Sequence, residues 1–195
     1  MKHRKYLLKT CVLLLLFVCA SAAPSVYAQD GPPESQKFGV GFKVLAGNDV
    51  TAIGANARFW TESPLGFEVG WARDSEGISA SADGISVDAS AHIDVIPMSA
   101  LYTLTHVNTE SVYIRPYVGG GINIARGSFS AGASGYGGSS SVSVSATKVG
   151  AQGFAGAEFT FKQIPKLSFG GDLGILRFGG NSGFAAGLQV HYYLK

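Results

Sequence analysis

The chain has 195 residues, with 15 basic against 13 acidic side chains, 27 glycines and two cysteines. This length holds one domain of ordinary size and excludes two large ones. Charged residues make up 14% of the chain and hydrophobic residues 46%, which excludes a disordered chain. Nucleic-acid binding is also excluded, because no basic cluster follows the N-terminal stretch.

Residues 1–28 have the pattern of a secretory signal peptide. Four basic residues precede an apolar run over 11–20, and small residues stand at the recognition positions that end at Ala28. An uncleaved anchor helix is the alternative, but the apolar run is short for a membrane span. Removing the signal leaves 195 − 28 = 167 residues with 15 − 4 = 11 basic and 13 acidic side chains. Cys11 and Cys19 leave with it, so neither a disulfide nor a cysteine metal site is expected.

A polar leader over residues 29–36 precedes a region that alternates with period two. From Lys37 onward, apolar residues alternate with polar or small ones, as pleated strands with unlike faces require, and no amphipathic helix is seen. The pattern predicts eight strands, of which the fourth is the least clear. In chain order they cover residues 38–44, 53–60, 65–72, 96–104, 112–124, 150–161, 167–175 and 186–194.

The connections between these strands are alternately tight and long. Long connections therefore share one end of the strands, and both termini lie at the tight-turn end, which is the plan of an up-and-down barrel. The tight turns fall at 61–64, 106–110 and 162–166, and the long connections are predicted as loops at 73–91 and 126–147. Within the first of these, Asp83-Gly84 favours a two-residue hairpin turn. An alternative to a loop there is that the arms 78–82 and 85–89 extend the third and fourth strands beyond the bilayer as a hairpin.

Alternation alone leaves open whether the apolar face points into the barrel or out of it. A soluble lipocalin-like barrel would have its apolar set inside. The composition of the polar set favours the opposite arrangement, with the apolar set outside and the polar set inside. The polar set is rich in glycine and carries three cations and three anions at mid-strand. An eight-stranded barrel is just wide enough inside for side chains, so buried charges must be paired there. The predicted structural network of the interior comprises Lys43, Arg58, Glu68, Arg115, Glu158, Asp172 and His191.

Aromatic residues of the apolar set gather at the tight-turn end of the strands. Such a girdle is typical of a membrane–water interface. The alternative is ordinary strand composition, since aromatic residues favour sheets in any setting. The predicted girdle comprises Phe38, Phe59, Phe67, Tyr102, Phe159, Phe161, Phe169 and Tyr192.

Over residues 37–195 the chain resembles the small outer-membrane β-barrel proteins of Gram-negative bacteria, of the OmpA/OmpX and opacity-protein type. Residues 113–121 resemble the fifth strand of that family, and residues 153–159 resemble its sixth. Residues 187–195 resemble its aromatic-ended C-terminal strand, with Leu194 in place of the usual terminal Phe. The resemblance implies an all-β, eight-stranded antiparallel transmembrane barrel in the outer membrane. Its implied partners are outer-membrane lipid and the barrel-insertion machinery.

No catalytic or metal-binding motif emerges from the sequence, and no cofactor is expected. His92, His106 and His191 lack the spacing of metal ligands. The inner carboxylates could form a general-acid pair, but Arg58 and Arg115 would hold them ionised. Some barrels of the resembled family modify lipid A with a His, a Ser and an acid, which is the enzymatic alternative for His191.

The sequence therefore predicts a signal peptide over 1–28, a leader over 29–36 and a barrel domain over 37–195. The predicted function is structural or surface-interacting, of the adhesin type, without enzymatic activity. An extracellular partner is expected at the loops 73–91 and 126–147, and a wide pore is not expected. Two alternatives stay open, namely a soluble exported barrel that binds a small apolar ligand and a lipid-modifying barrel enzyme.

Overall fold

The computed structural model describes residues 36–47, 51–83, 85–135 and 138–194, so the predicted signal peptide and nearly all of the leader lie outside the described residues. Within these ranges no helix is long and apolar enough to cross a membrane. The strands are β1 (Phe38–Gly47), β2 (Thr51–Trp60), β3 (Leu65–Ala82), β4 (Ile85–Thr103), β5 (Val107–Asn108), β6 (Val112–Gly135), β7 (Gly138–Phe161), β8 (Leu167–Phe178) and β9 (Asn181–Leu194).

Eight of these strands form one closed antiparallel ring. Strands that follow one another in the chain pair with each other, and β1 closes the ring by pairing with β9 along its whole length. The two-residue β5 pairs only with β6, so that β4 pairs directly with β6. The eight-stranded antiparallel up-and-down barrel predicted from the alternation is confirmed.

The strands are staggered around the ring. Successive cross-strand partners, followed from Gly47 on β1 through β9 and around the ring, lead to Trp60 on β2. The Trp60 amide donates to the Lys37 carbonyl oxygen, so Lys37 is the residue beside Trp60. One circuit of the ring that starts at Gly47 therefore ends at Lys37, directly before the start of the same strand, a stagger of 47 − 37 = 10 residues. Such a stagger tilts the strands of a closed barrel, and eight strands leave an interior of side-chain width.

The two ends of the barrel differ in height. At the short-turn end the connections cover residues 61–64, 104–111 and 162–166. At the opposite, tall end, β3 with β4 and β6 with β7 continue as hairpins well beyond β1 and β2. The turn predicted at Asp83-Gly84 is confirmed, since Ala82 pairs with Ile85 and Asp83 has a φ of 49°, the conformation that two-residue hairpin turns require.

The stretch 126–147, predicted as a loop, is strand instead, and that prediction was wrong, since its described residues lie in β6 and β7. The described residues of 73–91 lie in β3 and β4, where the arms 78–82 and 85–89 pair as the extended hairpin that was the other interpretation of this stretch. The serine- and glycine-rich composition suggested a loop, but ladder hydrogen bonds are made by the backbone. Ser143 pairs with Ser130 and Val144 with Phe129, so the alternation of valine with serine was the informative signal.

Alternating side chains face opposite sides of the barrel wall. On β1 the Phe42 side chain is 72% exposed, whereas the neighbouring Lys43 is 8% exposed. On β3 Val69 is 49% exposed and Glu68 only 4%. The apolar set therefore faces outward and the polar set lines the interior, which is the orientation that the balanced charges favoured.

We expect Gly54→Ala to lower the free energy of unfolding by about 1–3 kcal/mol, as overpacking does. A Cβ at Gly54 would overlap the carbonyl oxygen of Trp71, so β2 and β3 would have to separate. Gly153→Ala is the matched control, because its Cβ would meet nothing within 4 Å; it should be neutral or slightly stabilising. Urea unfolding of the refolded barrel measures both, and equal effects would contradict the prediction.

Candidate functional site

The middle of the barrel interior holds six charged side chains, each on a different strand. Every one of them is less than a tenth exposed, and Arg58 is fully buried. Three are cations and three are anions, so their formal charges cancel. They are Lys43, Arg58, Glu68, Arg115, Glu158 and Asp172.

Glu68 lies between two cations. Its Oε1 is 3.1 Å from the Lys43 Nζ. Its Oε2 accepts from the Arg58 Nε at 2.9 Å and also contacts the Arg58 Nη2. The Lys43 Nζ lies a further 2.8 Å from the Asp172 Oδ2. Four charges from four strands therefore form one continuous chain in which each carboxylate contacts a cation.

Glu158 connects the remaining cation, Arg115, to this chain of ion pairs. Its Oε2 lies 3.6 Å from the Arg58 Nη1 and 3.5 Å from the Arg115 Nη1. The Tyr193 hydroxyl donates to its Oε1 at 2.6 Å. The fully buried His191 places its Nδ1 3.9 Å from the same oxygen. The structure thus brings all seven residues of the predicted network together in the interior.

An aromatic layer packs among these charges, since Tyr117 lies above Arg115 on β6 while the Trp60 and Tyr193 rings lie near the short-turn end. It contains Trp60, Tyr117 and Tyr193, packed with Leu101. The Trp60 Nε1 donates to the Tyr193 hydroxyl at 3.0 Å, and the Arg115 guanidinium lies 4.6 Å from the centre of the Trp60 ring, a cation–π distance. Sequence reasoning missed this layer. The available signal was three large aromatic residues at inward positions of an otherwise small or polar set.

Gln36, which the sequence analysis assigns to the leader, is part of this end of the barrel. It is 2% exposed. Its Nε2 donates to the Thr160 Oγ1 at 3.1 Å and to the Pro165 carbonyl at 2.9 Å, and its Oε1 accepts from the Arg115 Nη2 at 3.2 Å. The side-chain amide of Gln36 therefore makes hydrogen bonds with three groups, one on β7, one on β6 and one in the turn at 162–166. No periodic pattern marks such a residue, since it lies outside the strands.

We expect Gln36→Ala to destabilise the barrel by about 1–3 kcal/mol, because it leaves buried polar groups without their partner. Gln163→Ala provides the matched control, as Gln163 is exposed in a short turn. It should change the free energy of unfolding by less than about 0.5 kcal/mol. Urea titration of both refolded variants measures the difference. Indistinguishable midpoints would contradict a stabilising role for Gln36.

The eight predicted girdle residues lie toward the short-turn end of their strands. Of the eight predicted girdle residues, Phe159 is half-buried and the other seven are exposed. Phe161 and Phe169 pack edge to face with their ring centres 6.2 Å apart. Facing outward toward the tall end, Trp71 donates to the Asp94 Oδ1 at 3.1 Å, and the Arg73 Nε lies 2.7 Å from the same oxygen. The hydrogen bond from Arg73 holds the pKa of the Asp94 carboxyl below its usual range.

The tall ends of β3, β4, β6 and β7 form a four-stranded sheet above the ring, called here the upper sheet (residues 74–82, 85–93, 127–135 and 138–147). On its outer face serines align across all four strands, for example Ser139, Ser134, Ser86 and Ser81. By the strand alternation, its inner face carries Asp74 and Glu76 near the ring and otherwise mainly alanine, valine, isoleucine and phenylalanine. The Ser90 and Ser130 hydroxyls lie 2.8 Å apart, so this pair makes a hydrogen bond between β4 and β6.

The three histidines of the barrel lie in different places. His92 is on the tall part of β4, His106 packs against Tyr113 near the short turns with ring centres 5.5 Å apart, and His191 is buried inside. Within the part of the chain that the structure describes, no group of three or more His, Cys, Asp or Glu side chains could hold a metal ion.

No protein-family model matches the chain, and no curated protein matches it. Several solved structures do. The N-terminal β-barrel domain of Pseudomonas aeruginosa OprF is 13% identical with a TM-score of 0.44, over 80% of this chain and 98% of that one. Yersinia pestis Ail, in complex with the heparin analogue sucrose octasulfate, is 15% identical with a TM-score of 0.46, over 80% and 96%. Neisserial surface protein A is 17% identical with a TM-score of 0.42, over 80% and 94%. These are small outer-membrane β-barrel proteins, the class that the sequence resembles, and the likeness is one of fold alone.

Proposed function

We propose that this protein is an integral β-barrel of the outer membrane, with an interior filled in its middle and at its short-turn end, that presents the upper sheet as an interaction surface. The observation that carries the proposal is the exposed apolar band around a closed ring whose inside is charged. Closure pairs every strand edge, which hydrocarbon requires because it offers no water to unpaired backbone groups. A soluble barrel would instead leave this entire apolar band in water, where patches of that size are unfavourable.

The length of the strands supports a membrane span. β1 and β2 have ten residues each, and a tilted transmembrane strand needs about 9–11. The exposed side chains of this stretch include Val40, Phe42 and Ile53. The Arg73–Asp94 pair then lies at the boundary where the apolar band ends and the upper sheet begins.

The packing of the interior supports a structural role over transport or catalysis. The charged chain around Glu68 and Glu158 and the aromatic layer occupy the middle and the short-turn side of the lumen. A wide pore would need more than eight strands. The proposed role is therefore to hold a rigid surface, the upper sheet, outside the membrane.

Heat-modifiable gel migration tests membrane integration. The mature protein should be extracted with detergent from the outer-membrane fraction and migrate differently with and without boiling, because a closed barrel resists unfolding at room temperature. Recovery from the soluble periplasmic or culture fraction, without detergent, would overturn the proposal.

Cysteine labelling in intact cells tests the orientation. Both cysteines of the chain lie in the predicted signal peptide, so Asp83→Cys introduces a single thiol at the tip of a tall hairpin. We expect a membrane-impermeant maleimide to label it in intact cells. Gln163→Cys, in a short turn, is the matched control and should react only after permeabilisation. The reverse pattern would contradict the exposure of the upper sheet.

A further inference from the structure

At the tall end the barrel interior changes from charged to apolar. Here the residues of the rim line an open cavity of about 530 Å³, within the range of about 300–1,000 Å³ of small-molecule sites. The charged chain around Lys43 lies deeper in the barrel. The apolar lining comes from seven strands and includes Leu45, Ala52, Val95, Ala125, Leu176 and Phe178.

One charged side chain borders this cavity among the described lining residues, Lys148 on β7. Lys148 is exposed, and no ion pair of its ammonium group is seen among the described residues. The carboxylate of Asp74, also at the tall end, accepts a hydrogen bond from the Thr51 amide at 3.2 Å. The site thus combines a large apolar surface with a single cation at its edge.

The cavity lies at the rim of the tall end. Ladders such as Gly47 with Ala185 close the wall below it, but the β7–β8 ladder ends at the pair of Gly150 with Phe178, so Lys148 stands above the last pair. In the proposed orientation this rim faces water, so a ligand reaches the cavity from the aqueous side. Beyond the mouth, the inner face of the upper sheet continues the apolar surface through Val142 and Val144, which are 61% and 63% exposed.

We propose that this cavity binds a free long-chain fatty acid, with its hydrocarbon chain among the apolar inward residues and its carboxylate on Lys148. Burying the chain supplies the driving force. The lysine provides a charge-assisted hydrogen bond that an uncharged alcohol of the same length makes less well. The inference goes beyond the proposed function and rests on it only in requiring that the tall end face water.

Photolabelling tests the site. The refolded protein in phosphatidylcholine vesicles is incubated with a diazirine derivative of palmitic acid, irradiated and digested, and the labelled residues are identified by mass spectrometry. We expect saturable labelling of cavity-lining residues, which unlabelled palmitate prevents at concentrations about tenfold lower than hexadecanol.

Matched variants separate the cavity from the membrane-facing wall. Ala125→Trp fills the cavity and should remove saturable labelling, whereas Ala151→Trp faces outward and should not. Lys148→Gln should weaken palmitate competition about tenfold, whereas Arg177→Gln, an outward cation, should leave it unchanged. Ala125→Phe replaces the tryptophan variant if the latter loses the heat-modifiable band of a folded barrel.

Labelling confined to outward residues, or unaffected by filling the cavity, would overturn the site. The contact between the ligand carboxylate and Lys148 would be overturned if hexadecanol competed as well as palmitate. It would also be overturned if palmitate competed equally well in Lys148→Gln and in the unchanged protein. Either failure leaves the outer-membrane proposal standing, since fractionation and cysteine labelling test that independently.

Discussion

Replacing Glu68 with alanine is expected to lower the free energy of unfolding in a lipid bilayer by about 3–5 kcal/mol, the cost of leaving buried charges unpaired. Glu68 is 4% exposed and contacts both Lys43 and Arg58. Without it, the carboxylate left to Lys43 is Asp172, and the carboxylate left to Arg58 is the more distant Glu158 at 3.6 Å. The loss of stability is measured by urea titration of the barrel in vesicles, with the heat-modifiable gel shift as the readout of the folded fraction.

An exposed ion pair of the same types provides the control. Glu62 pairs with Lys37 at 3.0 Å, with its side chain 88% exposed. Because exposed pairs contribute about 0–1 kcal/mol, Glu62→Ala should have little effect. A loss below about 1 kcal/mol for Glu68→Ala would contradict the interior network as a source of stability.

The barrel was predictable because one rule, alternation, operates along its whole length. Each residue of β1 from Phe38 to Lys43 could be assigned to one face from its neighbours alone. The balanced charges then decided which face was inside, since an eight-stranded lumen tolerates charge only in pairs. Nothing in that argument needed three-dimensional contacts, which explains its success.

What could not be predicted depends on how the strands are staggered. The β6–β7 half of the upper sheet was missed because serine and glycine are common in loops, and only the pairing of β6 with β7 shows that they form a ladder. Gln36 precedes the first strand, and its three hydrogen bonds reach residues more than 75 positions away. The apolar cavity combines inward residues of several strands at one height, such as Leu45 and Leu176. Within a single strand, the cavity is represented by only one or two apolar residues on the otherwise polar inward face.

An arginine in place of Val69 should discriminate most directly between a membrane-spanning barrel and a soluble one. Val69 faces outward on β3, 49% exposed, between the girdle residue Phe67 and the Arg73–Asp94 pair. In a bilayer, arginine near the midplane costs about 2–4 kcal/mol, so Val69→Arg should fold less stably in vesicles and accumulate less in the outer membrane.

The same substitution in the upper sheet separates the bilayer from the strand as the source of that cost. Val142 is also an exposed β-strand valine, 61% exposed, but it lies beyond the proposed membrane. Val142→Arg should therefore change the free energy of unfolding by less than about 0.5 kcal/mol, as exposed substitutions usually do. If both variants were equally stable, Val69 would face water, and the apolar band would need another explanation than lipid. A large cost at Val69 alone would mean that hydrocarbon surrounds the ring, which closure of all eight strands makes physically tolerable.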